Sequence, residues 1–259
     1  MRNYTTNALV LHLQRQGESN RLATFLTPNE GIVRATIFGG AKSRLRSLVS
    51  PMNTGRVWVS KKNNGMSAKI SDFSAEKCRL SFRESLFKMA QADVMAELLI
   101  KTQAAGSPQK AFVLANAFLD GMDFFDENES RRGFVRFLWR YLELLGEQPS
   151  VLECFHCGSS LDVLRGKNGF EKVSLKGAFD WKEMAFVCAD CATGAGDFEM
   201  ISSRALGYLY AVSFLKPSES RAISIDEESL GELKRFCLAL LEHSCGIRLK
   251  SLEAVANFL

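Results

Sequence analysis

Between residues 8 and 73 apolar side chains recur in short alternating runs, and beyond residue 80 the repeat lengthens to about 3.6. The alternating part predicts five strands: Ala8 to Gln14, Arg21 to Thr27, Ile32 to Phe38, Arg56 to Lys61 and Ser67 to Phe73. Gln16-Gly17-Glu18-Ser19-Asn20, Pro28-Asn29-Glu30-Gly31 and Asn63-Asn64-Gly65 read as reversals, while Gly39-Gly40 opens a longer connection between the third and fourth strands. Five short strands with that one long connection predict an OB-type barrel, an SH3-like barrel being the nearest rival. The alternation sends Val33, Ala35, Ile37, Val57 and Val59 inward. Arg34, Thr36, Phe38, Arg56, Trp58 and Ser60 then face outward. On that face Arg34, Phe38, Arg56 and Trp58 are expected to lie together as guanidinium groups interleaved with aromatic rings. The competing reading packs Trp58 and Phe38 under a neighbouring domain.

The second period predicts helices. Ser81-Phe82-Arg83-Glu84 matches a capping box, with Leu86, Met89, Ala90, Val94 and Leu98 following on one face. Ser107-Pro108 starts a second helix through about Leu119, and a third spans Arg131 to Leu145 and stops at Gly146. Ser202 to Leu215, Asp226 to Ser244 and Leu252 to Leu259 resume the pattern, Ser224-Ile225-Asp226-Glu227 being another capping box. The expected architecture is multidomain α+β. It comprises an N-terminal OB-type nucleic-acid-binding barrel over 1–79, a helical domain over 80–149 and 200–259 sharing one core, and an inserted lobe over 150–199. Phe179, Trp181 and Phe186 are expected to cover the lobe.

That lobe carries the sharpest motif. Cys154-Phe155-His156-Cys157-Gly158 and Cys188-Ala189-Asp190-Cys191 are two C-x-x-C pairs thirty residues apart, the spacing of a four-thiolate zinc site. Four sulfurs fill a tetrahedron and leave no position for water or substrate, so the expected cofactor is structural zinc. His156 lies inside the first turn and is the alternative ligand. A redox reading needs only one pair and a βαβ context that the sequence does not offer. The remaining Cys78, Cys237 and Cys245 are an odd number, expected as buried free thiols.

Composition adds one asymmetry. Residues 1–80 hold 13 Lys and Arg against 4 Asp and Glu, whereas the remainder is acidic, and the whole chain carries +4. A positive field on one barrel suits a polyanion, because each neutralised phosphate releases condensed counterions. Within it, Gly39-Gly40-Ala41-Lys42-Ser43-Arg44-Leu45-Arg46-Ser47 sets three cations beside two glycines, and Lys42, Arg44 and Arg46 are expected to grip a phosphate chain. On the third helix Arg132, Arg136 and Arg140 form a basic stripe flanked by Phe134, Phe137, Leu138, Tyr141 and Leu142. Such a stripe beside exposed hydrophobes could receive an acidic peptide with a bulky apolar end; a solvated charged face is the simpler reading.

Only His12, His156 and His243 are present, with no H-E-x-x-H, G-x-S-x-G or phosphate-loop pattern, so an enzyme is not expected. No run of eighteen apolar residues occurs and the start lacks the apolar stretch of a signal peptide, which leads to an expectation of a cytosolic protein.

Taken in order, Ala8-Leu9-Val10-Leu11, Gly17-Glu18-Ser19-Asn20-Arg21, Phe25-Leu26-Thr27-Pro28-Asn29-Glu30-Gly31, Phe38-Gly39-Gly40-Ala41-Lys42, Leu144-Leu145-Gly146, the cysteine pairs and Gly246-Ile247-Arg248-Leu249-Lys250-Ser251 resemble the RecO family of recombination mediators over essentially the whole chain. The resemblance implies a non-enzymatic role in DNA repair by homologous recombination. It implies binding of single- and double-stranded DNA, annealing of complementary strands, pairing with RecR, and contact with the acidic C-terminal tail of the single-stranded-DNA-binding protein so that RecA can load. It also implies a cytoplasmic, nucleoid-associated location. The alternative is a zinc-containing interaction scaffold or transcription-associated module whose barrel binds protein.

Overall fold

The computed structural model describes residues 2–39, 43–61, 68–161, 164–166, 169–172, 177–193 and 196–255. Two compact units emerge, one of Met1–Phe137 with Cys245–Leu259 and one of Leu138–Ser244.

In the first unit β1 (Arg2–Gln16), β2 (Asn20–Thr27), β3 (Gly31–Ile37), β4 (Thr54–Lys61) and β5 (Ala68–Lys77) close into a barrel in the order β1-β2-β3-β5-β4. This is the OB arrangement. β1 makes closure possible by pairing on both edges, Arg2 to Leu9 with β4 and Leu9 to Gln16 with β2. Its polar first half, Arg2 to Asn7, was expected outside the strands, because the strand that pairs it, β4, is distant in sequence. β3 meets β5 through one parallel pair, Thr36 with Lys69.

Ala8, Val10, Ala23, Phe25, Ala35, Ile37, Val57, Val59, Ile70 and Phe73 fill the barrel. Ile70 and Phe73 both reach inward although three positions apart, because the ladder slips between Trp58 and Val59 and adds one residue on β5. Gly55 permits the next slip: a Cβ there would stand 2.2 Å from the Ser74 carbonyl oxygen. The long connection ends in the single turn α1 (Leu45–Leu48), whose Leu45 and Leu48, with buried Val49, pack on the barrel core. Glu30 reaches Tyr4 and Lys61, the Lys61 ammonium lying 5.0 Å over the Tyr4 ring.

A 3₁₀ turn over Leu80–Glu84 precedes α2 (Leu86–Lys101), which is capped by Ser85 and not by Ser81; the Ser85 hydroxyl accepts from the Lys88 N–H at 3.3 Å. Leu86 and Met89, expected on the apolar face, are exposed, and Ala90, Val94 and Leu98 are buried. Ser107 caps α3 (Pro108–Phe124), and the Asp126 carboxylate accepts from the Glu129 N–H in the first turn of α4 (Glu127–Leu145). Gly146, at φ +78°, ends α4, and the Glu147 N–H reaches back to the Leu142 carbonyl.

Arg79 ties barrel to helix. Its guanidinium is buried and donates to the Met52 carbonyl and Thr54 hydroxyl on one side and to Asn116 and Asp120 of α3 on the other. Burial acts to raise the Asp120 carboxyl, and the hydrogen bonds from Lys77 and Arg79 outweigh it, so its pKa is lowered. At the chain's far end α8 (Lys250–Val255) starts on Glu97 of α2, whose carboxylate accepts from the N–H groups of Lys250 and Ser251 and from the Ser251 hydroxyl.

The second unit holds the four-cysteine segment together with α5 (Ser203–Phe214), α6 (Pro217–Ala222) and α7 (Glu227–Cys245). Its strands are β6 (Leu164–Gly166), β7 (Gly169–Lys172), β8 (Gly177–Asp180), β9 (Ala185–Cys188) and β10 (Phe198–Ile201), the last three forming a sheet in the order β10-β8-β9. Phe179 packs edge-on against Phe186 at 5.1 Å, Trp181 at 4.9 Å and Phe236 of α7 at 4.9 Å, which fastens the sheet to that helix. Asp226 caps α7 by accepting from the Ser229 N–H at 2.9 Å. Among the described residues no helix is long and apolar enough to cross a membrane.

Candidate nucleic-acid interface and metal centre

Alternation on β3 and β4 places the expected cations outside the barrel. Arg34 and Arg56 are exposed while Val33, Ala35, Val57 and Val59 are buried; Trp58 is half-buried, and Ser60, expected outside, is buried as well. Arg44 is exposed and Arg46 half-buried in the turn leading into and through α1. Lys42 lies outside the described residues. Phe38 is 55 % exposed, so it does not pack beneath a neighbour.

The strand order separates this set into two groups. β5 stands between β3 and β4, and Thr36 and Ser60 both face Lys69. From Lys69, Arg34 lies two residues toward one end, while Asp72, the partner of Trp58, and Ser74, the partner of Arg56, lie toward the other. Arg34 and Trp58 are therefore about four residues apart along the strand direction, about 13 Å, with β5 between their strands, and do not share one patch. Phe38, two residues past Thr36, advances toward the Trp58 side instead. Arg56, Trp58, Phe38 and the α1 turn, which packs on β5, form the larger group. An acid accompanies them: Asp72 faces Trp58 directly, its carboxylate accepting from the Phe73 N–H.

Charge partners sort the cations further. Lys61 pairs with Glu30, and Lys77 and Arg79 pair with Asp120. Arg34, Arg44, Arg46 and Arg56 have no carboxylate partner among the described residues.

The basic stripe of α4 is corrected by its surroundings. Phe134, Phe137, Leu138, Tyr141 and Leu142 are core residues at 2 % exposure or less, so they do not form an open apolar shelf beside it. Arg136 is itself buried and meets Glu129 at 2.5 Å, Arg132 meets the same carboxylate at 3.4 Å, and Arg140 donates to Ser220 of α6. The 3.6 period put the arginines in a row but could not show that Glu129 and the core claim them.

The four cysteines converge as their spacing predicts. The sulfurs of Cys154, Cys157, Cys188 and Cys191 lie within 4.8 Å of one another, Cys154 and Cys188 buried. Tight turns present them: the Gly158 N–H bonds the Cys154 carbonyl, with Gly158 at φ +70°, and the Cys191 N–H bonds the Cys188 carbonyl. The Cys188 N–H points at the Cys154 sulfur at 3.2 Å. Burial opposes ionisation of Cys154, but N–H groups of Cys188, Cys157 and His156 outweigh it and lower its pKa. The Ser159 hydroxyl, 3.0 Å from Cys157, helps bring that thiol down to about 6. Cys191 moves the other way, to about 12, through contact with the Cys188 and Cys157 sulfurs. Sulfurs so close cannot all ionise unaided, and a metal ion at their centre relieves the conflict. The donor set could therefore hold one ion with every tetrahedral position filled. His156 turns to Asp180 at 3.2 Å instead of joining the sulfurs. Of the other cysteines only Cys237 is buried; Cys78 is exposed and Cys245 intermediate.

Arg79 and Glu97 were not singled out in the sequence. Arg79 counted only toward net charge, and the partner that gives Glu97 its role lies 154 positions away at Ser251.

A closed OB-type barrel, helices and a four-thiolate cluster in one chain define a multidomain α+β protein of a recognisable class. Residues 1–75 match the family profile described as Recombination protein O N terminal, and residues 83–253 match Recombination protein O C terminal. The chain belongs to the RecO family of DNA repair proteins. Among its relatives, the DNA repair protein RecO of Syntrophotalea carbinolica is 27 % identical over 81 % of this chain and 77 % of its own. That of Pelobacter propionicus is 26 % identical over 95 % and 93 %, and that of Chlorobium limicola 26 % over 98 % of each.

Proposed function

We infer that this protein is a recombination mediator that binds single- and double-stranded DNA, anneals complementary strands and, together with RecR, loads RecA onto strands coated by the single-stranded-DNA-binding protein, whose acidic C-terminal tail it contacts. The observation that carries this reading is the set of barrel cations, Arg34, Arg44, Arg46 and Arg56, left without carboxylate partners among the described residues of a RecO-family chain. Lys42 joins them by its place in the basic connection. Trp58, half-buried on the outer wall, offers a stacking plane beside Arg56. Each cation that meets a phosphate releases counterions, and a protein that neutralises two strands at once lowers the repulsion between them. The barrel over 1–79 is the DNA-holding part of this reading, and the segment over 150–199 a lobe braced by structural zinc bound to Cys154, Cys157, Cys188 and Cys191. The protein acts in the cytoplasm at the nucleoid and catalyses no reaction of its own.

Annealing of complementary oligonucleotides, followed across a salt series, tests the reading. Sequence-independent annealing that weakens steeply with salt is expected. A protein that fails to anneal or bind strands in dilute buffer refutes it.

A further inference from the structure

Where α2 begins, α3 ends and α4 begins, a run of contacts gathers exposed apolar side chains at one end of the helices. In the 3₁₀ turn the Ser81 hydroxyl donates to the carboxylate of Asp123, the penultimate residue of α3. In α4 Glu127 pairs with Arg131 at 2.6 Å, and the Arg131 guanidinium lies 4.6 Å over the ring of Phe87 in the first turn of α2. Leu80, Leu86 and Phe124 are the sequence neighbours of Ser81, Phe87 and Asp123, so these contacts bring them to the same end. Leu80 is 59 % exposed, Leu86 65 % and Phe124 82 %. The Phe124 ring meets Phe125 at right angles with centroids 4.9 Å apart. One exposed leucine is ordinary, but two leucines beside a phenylalanine ring standing in water mark a contact surface.

Charge selects what can cover it. The carboxylates of Glu84, Asp123 and Asp126 are exposed, and none meets a Lys or Arg among the described residues. Asp123 is held by Ser81, and Asp126 by the Glu129 N–H. Of the nearby cations, Arg131 is neutralised by Glu127, Arg83 turns to the Ser50 hydroxyl at 3.5 Å, and Lys88 is half-buried. Carboxylates on either side of Phe124 repel a phosphate polymer or an acidic peptide and attract a cation, which the face of the ring also favours. We propose that Leu80, Leu86 and Phe124 form a docking surface for a basic amphipathic segment of a partner protein, its Lys or Arg side chains meeting Asp123, Asp126 and Glu84 and its apolar side chains covering the leucines. The surface uses none of the cations assigned to DNA, so strand and partner can be held together.

The full-length protein is titrated with a fluorescein-labelled peptide of Leu and Lys in helical period and with its Leu and Glu counterpart. Salt-sensitive binding of the Lys peptide alone is expected. Phe124→Ala should weaken it about 5- to 30-fold, and Phe124→Trp should retain it. The Asp123→Asn, Asp126→Asn double variant should weaken it about fivefold at low salt with an unchanged melting temperature, since Asn still caps α4. Affinity for oligothymidylate should not fall in any of these variants. The proposal is overturned if the wild type ignores the Lys peptide in dilute buffer, if the Glu peptide binds equally, or if the variants bind like the wild type. It is also overturned if Phe124→Ala weakens oligothymidylate, which would make the ring a base platform, or if Phe124→Ala abolishes a dimer seen by sedimentation, which would make the occupant a second copy. Loss of the peptide site leaves the DNA-binding reading intact, and a protein that takes the peptide but no DNA loses only that reading.

Discussion

Replacing Arg44, Arg46 and Arg56 together by Ala tests the proposed interface most directly, because the effect can be calculated before it is measured. None of the three has a carboxylate partner among the described residues, so their removal breaks no ion pair and should shift stability by less than about 0.5 kcal/mol. On single strands each phosphate contact contributes about 0.7 to the slope of log affinity against log salt, so three lost contacts flatten it by about 2. Raising salt fourfold, from about 50 to about 200 mM, should then cost the wild type about 20-fold more affinity than the variant. Fluorescence anisotropy with a labelled oligonucleotide at several salt concentrations gives both slopes. Lys77→Ala serves as the control, since Lys77 is already paired with Asp120. A triple variant with the wild-type slope, or a Lys77 variant with an equal loss, would refute the assignment of these cations to phosphate.

Asp72 faces Trp58 on the proposed path. Asp72→Asn should tighten binding about twofold at low salt by removing one repulsive charge, whereas an unchanged affinity would place the strand elsewhere. Purified protein should contain about one zinc per chain, and a strong chelator should expose the second unit to limited proteolysis; an identical digest with and without chelator would deny the metal a structural role. Glu97 has its pKa lowered to about 2, burial raising it and hydrogen bonds from Ser251, Lys101 and Lys250 outweighing burial. Its contribution is thus fully present above about 4.5, the ordinary carboxyl value, and is lost as pH falls toward 2. Glu97→Gln should cost about 1–3 kcal/mol near neutrality and flatten the acid limb of the stability curve, as followed by denaturant melts. An acid limb identical to that of the wild type would remove Glu97 from that role.

The parts of this protein legible in its sequence are those fixed by local periodicity. Strand interiors such as Val57 and Val59, the Ser107 cap and the two cysteine turns each depend on residues within a few positions of one another. What stayed hidden depends on partners far along the chain. The polar start of β1 is a strand because β4, some fifty residues later, needs an edge to close against. Ile70 and Phe73 break the two-residue alternation because β5 carries a bulge opposite β4. The same limitation governs the charges, and there it changes the functional argument. Counting gives 13 cations in the first 80 residues, but Lys61, Lys77 and Arg79 already belong to Glu30 and Asp120. Arg79 in particular holds the barrel to α3 and is unavailable to any polymer. Net charge therefore overstates the field that a phosphate chain would meet, and the count that matters is of cations without acids beside them. By that measure the candidate surface lies along the β5 wall, with Arg34 standing apart, and a strand that engages both must wrap the barrel instead of crossing one face.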